Sequence, residues 1–472
     1  MAQRLMTHFF DALYDDQLAA INGDQADVWV AYSGGLDSTV LLHSLAEYAK
    51  RNHTGWIVRA IHVNHGLAQD ADAWQKHCEN FAQSLGIEIQ SSKVLVRADG
   101  EGIENAARES RYAVFRRFVK RGHYLLMAHH LGDQAETLLL RLMRGAGVKG
   151  LAGIPEDRPL SADAQASSGT LIRPLLTTPR STLEEYARAL NLRWVDDPSN
   201  TQNHFDRNFI RNRVLPLLAT RWPDANQQLT QSARHCRKAL GSLSELAEDD
   251  WRILEGRLEK ASVSVSIARL KNLSENRQFY ALSLGCEKLG LPPLNQQQFR
   301  DVQTQILAGE TVFGTPCVRL NPQFAVTGFQ GRLHFIETQI LEATNANVAV
   351  GNLTLGLEQP IYLNGWQLRL QPQGHLNSRS GSFTVSFRQG GERAHPSFRH
   401  RSQTLKKVLQ EQSVEPWLRA CVPLIADPQG LAAVADFWVE KSAWCANSEE
   451  GYSVIWQYQS DWYQSVKALR NV

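Results

Sequence analysis

The residues Ser33-Gly34-Gly35-Leu36-Asp37-Ser38 put two glycines, two hydroxyls and a carboxylate into one short turn. Glycines let the main chain approach a ligand without a Cβ in the way. Successive N–H groups, with the positive end of a following helix, form a cradle for an anion. Ser33 and Ser38 add hydroxyl donors, and Asp37 places a carboxylate where a magnesium ion carried on phosphates would sit. A Walker loop needs G-x-x-x-x-G-K-[ST], whose lysine reaches the β and γ phosphates. The turn here is shorter and has no lysine, so the γ-phosphate is not the group expected to move. A Gly-Gly turn that merely joins strand to helix is the plain alternative.

A second constellation is His129, Asp133 and Glu136 at i, i+4 and i+7. With a strand ending at Ala128 and a helix from about His130, Asp133 and Glu136 share one face near Asp37. Leu138, Leu139 and Leu142 are then expected on the buried side. Two carboxylates beside a metal–phosphate site either hold magnesium or bind and deprotonate a cationic amine. An acidic first turn that complements the helix dipole would need no function at all. Arg108 with Arg111 (i, i+3) and Arg207 with Arg211 (i, i+4) are candidate phosphate or substrate ligands, against the alternative of solvated helix faces. His62 and His65 flank a strand end and receive no catalytic role. Further on, Arg388, Arg393, Arg399, Arg401, Lys406 and Lys407 stand against a single Glu392, with His395, Phe398 and His400 interleaved. Cations mixed with aromatics suit phosphate contact and base stacking, although a soluble charged loop reads the same way.

The elements that would position these groups alternate strand and helix over 1–220, which predicts an α/β fold with a mostly parallel sheet. Strands are expected at 28–32, 56–63, 87–96, 124–128 and 171–175, with helices at 40–51, 70–85, 104–121, 130–144, 183–190 and 206–218. Every motif of this region falls at the carboxyl end of a strand, where such sheets bind ligands. The stretch 157–170 is polar and aperiodic and reads as a mobile surface insertion. Residues 221–345 read as a mainly helical domain, with helices at 226–259, 276–289 and 296–307 and a hairpin at 318–337. Residues 346–472 read as a β-rich α+β domain, with strands at 353–357, 361–370 and 383–387, a helix at 404–412 and a turn at 427–430.

With 472 residues, 43% of them hydrophobic and 21% charged, the composition is that of an ordinary globular chain. No apolar run is long enough to span a membrane, and the polar N-terminus does not read as a signal peptide. Six scattered cysteines without a C-x-x-C pair argue against disulfides, zinc or a redox motif, and a cytoplasmic enzyme is expected. A net charge of +2 excludes a nucleic-acid coat, yet 37 of the 50 cations are arginine, the side chain whose fork matches phosphate.

The turn resembles the SGGxDS loop of the N-type ATP pyrophosphatases, which cleave ATP to AMP and pyrophosphate. SGGLDST (33–39), HVNHGL (62–67), ENAARESRY (104–112), HHLGDQAET with RLMRG (129–145), IRPLL (172–176), and DDPSN with RNFIRNRVLP (196–216) follow the order seen in tRNA(Ile)-lysidine synthetases. SFRQGGER (386–393) and LKKVLQEQSVEPWLRACVPLI (405–425) are similar to that family's final domain. The resemblance implies a Rossmann-like N-terminal sheet of the adenine nucleotide alpha hydrolase type. It also implies ligation of free L-lysine to C2 of the wobble cytidine of tRNA(Ile) with anticodon CAU, with ATP and Mg²⁺. Ser33, Gly34, Gly35, Leu36 and Ser38 would hold ATP and Asp37 the magnesium. Asp133 and Glu136 would bind lysine, with Asp133 as base, and Arg207 would reach the α-phosphate or the base. One departure is Gly132, where the family usually has a carboxylate; Asp133 is aligned with the second carboxylate of that motif. A homodimer stays open. The rival readings are another enzyme with this loop, such as a tRNA thiolase or an amidotransferase, and a nucleotide-sensing module without turnover.

Overall fold

A computed structural model describes the chain apart from residues 1, 22–24, 67–69, 96–102, 162–168, 197–204, 310–315, 343–352, 358, 378–381 and 470–472. The chain forms two compact units, Met1–Ser242 and Leu243–Val472.

The first unit runs α1 (Ala2–Gln17), β1 (Asp27–Ala31), α2 (Leu36–Arg51), β2 (Ile57–Asn64), α3 (Ala71–Ser84), β3 (Glu88–Lys93), α4 (Ile103–Phe118), β4 (Tyr124–Leu126), α5 (Leu131–Met143), α6 (Val148–Leu151), β5 (Asp157–Pro159), β6 (Thr170–Ile172) and α7 (Arg180–Ala189). Its sheet has the order β3-β2-β1-β4-β6-β5, parallel except for β5 at the edge. The order reverses between β1 and β4, and such switch points open a ligand crevice at the strands' carboxyl ends. Both faces are covered, as parallel sheets require. Val28, Val30, Leu126 and Ile172 pack with Leu41, Leu45, Leu183 and Tyr186 on the α2/α7 side. Trp29, Leu125 and Leu171 pack with Tyr112, Phe115 and Val119 on the α4 side.

Several sequence expectations shift. α2 begins at Leu36 rather than Val40, so Asp37 and Ser38 belong to its first turn. The supposed insertion at 157–170 opens with an edge strand, β5, and its 162–168 portion lies outside the described residues. The single helix expected at 206–218 is α8 (Asp206–Phe209), a π-helical turn (Ile210–Val214) and α9 (Leu215–Arg221). Leu142 is 48% exposed, so the buried side of α5 is Leu131, Ala135 and Leu138 together with the polar Asp133, Gln134 and Glu136.

α10 (Ala225–Ile253) ends earlier than expected and is followed by Glu255 at φ 52° and a short strand at Arg257–Leu258. In the second unit, Arg257–Leu258, Ser262–Ser266, Arg332–Glu337, Phe324–Phe329 and Cys317–Arg319 form an antiparallel sheet in that order. A further five-stranded sheet includes Ser382–Phe387 and Pro423–Asp427, and a three-stranded one joins Ile361–Leu363, Trp366–Leu376 and Tyr452–Tyr458. The strand expected at 361–370 is therefore a hairpin. Asn364 and Gly365 turn it with φ 49° and 79°, the two positive angles an Asn-Gly turn supplies. The last helix, Asp461–Ala468, sends Val466 into the core around Trp251 and Phe335, and Trp462 Nε1 donates to Leu289 O at 2.8 Å. Among the described residues no helix is long and apolar enough to cross a membrane.

Candidate active site

The glycine turn leaves β1 and enters α2 at the switch point. Gly34 sits at φ 85°, and a Cβ there would lie 2.8 Å from Cys78 Sγ, so both its backbone angle and its packing demand glycine. Its carbonyl accepts from Val195 N at 2.8 Å, which ties the turn to the segment after α7. The Ser33 and Ser38 hydroxyls lie 3.0 Å apart and close the loop, and Ser38 Oγ donates to Gly35 O at 3.1 Å. Gly35 is the N-cap of α2 with no side-chain cap, so no capping side chain takes the first-turn N–H groups. The Leu36 side chain is buried in the core, leaving only its backbone to serve a ligand.

Across the crevice, β4 runs into α5 through His129 and His130. The ring of His130 caps α5: Nδ1 accepts from Gly132 N at 3.0 Å, while Asp133 Oδ2 accepts from His130 N at 2.9 Å. With Nδ1 accepting from the helix, Nε2 is the ring nitrogen that faces the carboxylates. Nε2 lies 3.8 Å from Asp37 Oδ2 and 3.7 Å from Asp133 Oδ2, between the two carboxylates. It is His130, not His129, whose ring joins the carboxylates; sequence spacing grouped the wrong neighbour because a capping side chain folds back on its own helix. A Cβ on residue 132 would come within 2.8 Å of His130 Cε1, so Gly132 is what lets the ring lie there.

Asp133 and Glu136 do share a face of α5, and α8 with the π-helical turn brings two arginines onto them. Arg207 Nη2 lies 2.8 Å from Asp133 Oδ1 and its Nε 2.8 Å from Glu136 Oε2. Arg211 Nε lies 2.6 Å from Glu136 Oε1. Burial works to raise the Asp133 carboxyl, but His130, His129 and Arg207 together with the His130 N–H outweigh it and hold it at about 2. Asp37 is pushed the other way by burial, and its Oδ1 is buried without a hydrogen-bond partner. One carboxylate with an oxygen to spare fits Mg²⁺, which keeps most of its waters and shares substrate phosphates rather than sitting in an all-protein cage.

The remaining candidates separate. His62 is buried and its Nδ1 lies 3.0 Å from Tyr32 O, supporting the strand end. His65 is pushed down by burial and by Arg111. Arg108 stacks on Tyr112 at 4.9 Å. In the second unit, Arg393 bonds Ser402, Arg388 approaches Glu392 at 3.9 Å, and Arg399 pairs with Glu411. Lys407 is also 3.9 Å from Glu411, a counter-charge outside the basic segment as first read. Arg401 and Lys406 are exposed, and Phe398 is 54% exposed.

A lysine-free anion cradle at the switch point of a parallel sheet, faced by carboxylates, defines a nucleotide-using enzyme of the PP-loop class. The PP-loop domain model matches residues 6–218, and the TilS substrate C-terminal domain model matches 383–456. A tRNA(Ile)-lysidine synthase of Coxiella burnetii is 34% identical over 90% of this chain and 92% of its own length. One of Pseudomonas putida is 38% identical over 87% and 92%. A solved U34-tRNA thiolase from Methanococcus maripaludis is similar at 18% identity and a TM-score of 0.41, over 49% of this chain and 80% of that one. The chain belongs to the tRNA(Ile)-lysidine synthase family, whose members are ATP-dependent ligases.

Proposed function

We propose that this chain joins free L-lysine to C2 of the wobble cytidine of tRNA(Ile) with anticodon CAU. In the first step the cytosine C2 oxygen attacks the α-phosphate of ATP, the bond to the β-phosphate oxygen breaks, and pyrophosphate departs. In the second, the lysine ε-amine attacks C2, the C2–O bond breaks, and AMP leaves with that oxygen. Adenylation turns a poor oxide-like leaving group into a phosphate.

The observation that carries this reading is the convergence of Asp37, His130 and Asp133 on the glycine turn, with Arg207 and Arg211 on the same carboxylates. Ser33, Gly34, Gly35, Ser38 and the Leu36 backbone hold the departing pyrophosphate. Asp37 would hold Mg²⁺, which would supply charge neutralisation on the phosphates. Arg207 leaves Asp133 and Glu136 for the α-phosphate, and the lysine ammonium takes its place, one cation for another. Asp133, facing that ammonium, accepts the proton the amine must give up. The exposed Arg401 and Lys406, with Phe398, grip tRNA phosphates and bases. Thiolation has no support, because Cys78, the one cysteine before residue 220, is buried with its thiol pushed up to about 12.

The test is incubation with ATP, labelled lysine and CAU-bearing tRNA, followed by nucleoside analysis. Labelled lysidine is expected, with pyrophosphate released only when tRNA is present. Sulfur incorporation, or nucleotide binding without turnover, would contradict it.

A further inference from the structure

Arg173, just after β6, is 3% exposed, and its Nε is buried with no hydrogen-bond partner. Its Nη1 donates to Pro155 O at 2.7 Å. Two more guanidiniums meet it around Tyr112 of α4. Arg108 lies 4.9 Å from the ring centroid, with Nη2 3.4 Å from the phenol oxygen, and Arg158 of β5 lies 5.3 Å from the ring. Among the described residues no carboxylate pairs with Arg108, Arg158 or Arg173. Like charges gathered in a partly buried place repel strongly, because the surroundings screen them less than water does. The crowding shows in the groups themselves. Burial acts to raise the Tyr112 phenol, yet the arginines draw it below its usual value. Arg173 is lowered to about 10 by burial, with Arg158 and Arg108 adding to the effect. Beside them His129, with Nδ1 buried and unpartnered, is held neutral by burial, at about 3.

Such a set is stable when an anion completes it, and planar guanidinium forks match phosphate oxygens in particular. We propose that Arg108, Arg158 and Arg173 form a second phosphate site around Tyr112, which grips a backbone phosphate of the RNA next to the base being modified. The proposal rests on the reading of the chain as a tRNA-modifying enzyme. The RNA is favoured over ATP because the glycine turn feeds α2, which packs on the opposite face of the sheet from Tyr112 and α4. A triphosphate held on that turn has its own donors. The cluster still borders the reaction, since His129 and His130 are adjacent residues and His130 reaches both Asp37 and Asp133.

The experiment uses the full chain with Arg158→Gln and, separately, Arg108→Gln; Arg173 is left alone because it also supports Pro155. Affinity for CAU-bearing tRNA is measured across a salt series, and affinity for ATP at one salt concentration, with thermal midpoints confirming folding. Each variant is expected to bind tRNA roughly tenfold more weakly, as loss of a charged hydrogen bond implies. The slope of log affinity against log salt should shrink by about 0.7–0.9, one phosphate contact, with ATP affinity unchanged. Arg158→Lys should restore the slope, since it keeps the charge and loses only the fork. Unchanged tRNA affinity and slope would overturn the proposal. So would a loss confined to ATP, which would assign the cluster to the nucleotide's phosphates. Failure of the activity reading is separable: an unaltered chain with the arginine-dependent slope that forms no lysidine keeps the site and loses the reaction.

Discussion

Asp133 links a stability prediction to the proposed chemistry. Its folded carboxyl lies at about 2, below the usual carboxylate value near 3.9. The stabilisation this provides is full above about pH 4 and is lost as pH falls toward 2, about 2 kcal/mol in all. Unfolding midpoints measured from pH 6 to pH 2 should therefore fall more steeply for the native chain than for Asp133→Asn. The same variant should form lysidine at least a hundredfold more slowly, and a normal rate would remove Asp133 from the reaction. His130 makes a second residue-scale case. Gly132→Ala puts a Cβ 2.8 Å from His130 Cε1 and forces the ring off its cap. Loss of a cap costs about 1 kcal/mol, and turnover should fall with little change in ATP affinity. The carboxylates were legible from spacing alone; the histidine between them was not, because capping geometry depends on the glycine two residues on.

At the scale of elements, the turn between β1 and α2 is the best-specified part of the chain. Gly34→Ala should reduce ATP use by more than a hundredfold, for two separable reasons: φ 85° is strained for alanine, and Cys78 Sγ is 2.8 Å from the new methyl. Adding Cys78→Ala removes only the contact, so the double variant should recover part of the loss in pyrophosphate release. Recovery to full activity would show that the backbone angle does not matter. The strand–helix alternation of the first unit was legible because its central strands β1, β4 and β6 bury residues on both faces, whereas the edge strands β3 and β5 bury none. The hairpin at Asn364-Gly365 carried its own signal, and a single alternating run was read across it. The π-helical turn at 210–214 left no mark in the periodicity, though Arg207 and Arg211 flank its start.

At the scale of the molecule, the helix Asp461–Ala468 packs into the core around Trp251 and Phe335, so cutting the chain at 346 removes part of that core. A truncated protein would confuse unfolding with lost binding. Charge reversal is the cleaner test. Arg401→Glu with Lys406→Glu should weaken tRNA binding at least tenfold and flatten its salt dependence, with ATP affinity and thermal midpoint unchanged. Equal tRNA affinity in that protein would remove the basic segment from the interface. The claim on which everything else rests is that the base oxygen, not water, takes the adenylyl group. It is tested most directly with tRNA carrying ¹⁸O at C2 of the wobble cytidine, incubated with ATP and lysine and followed by mass analysis of the products. The label is expected in AMP, one atom for each lysidine formed. Unlabelled AMP, or ADP as the obligatory product, would contradict the account.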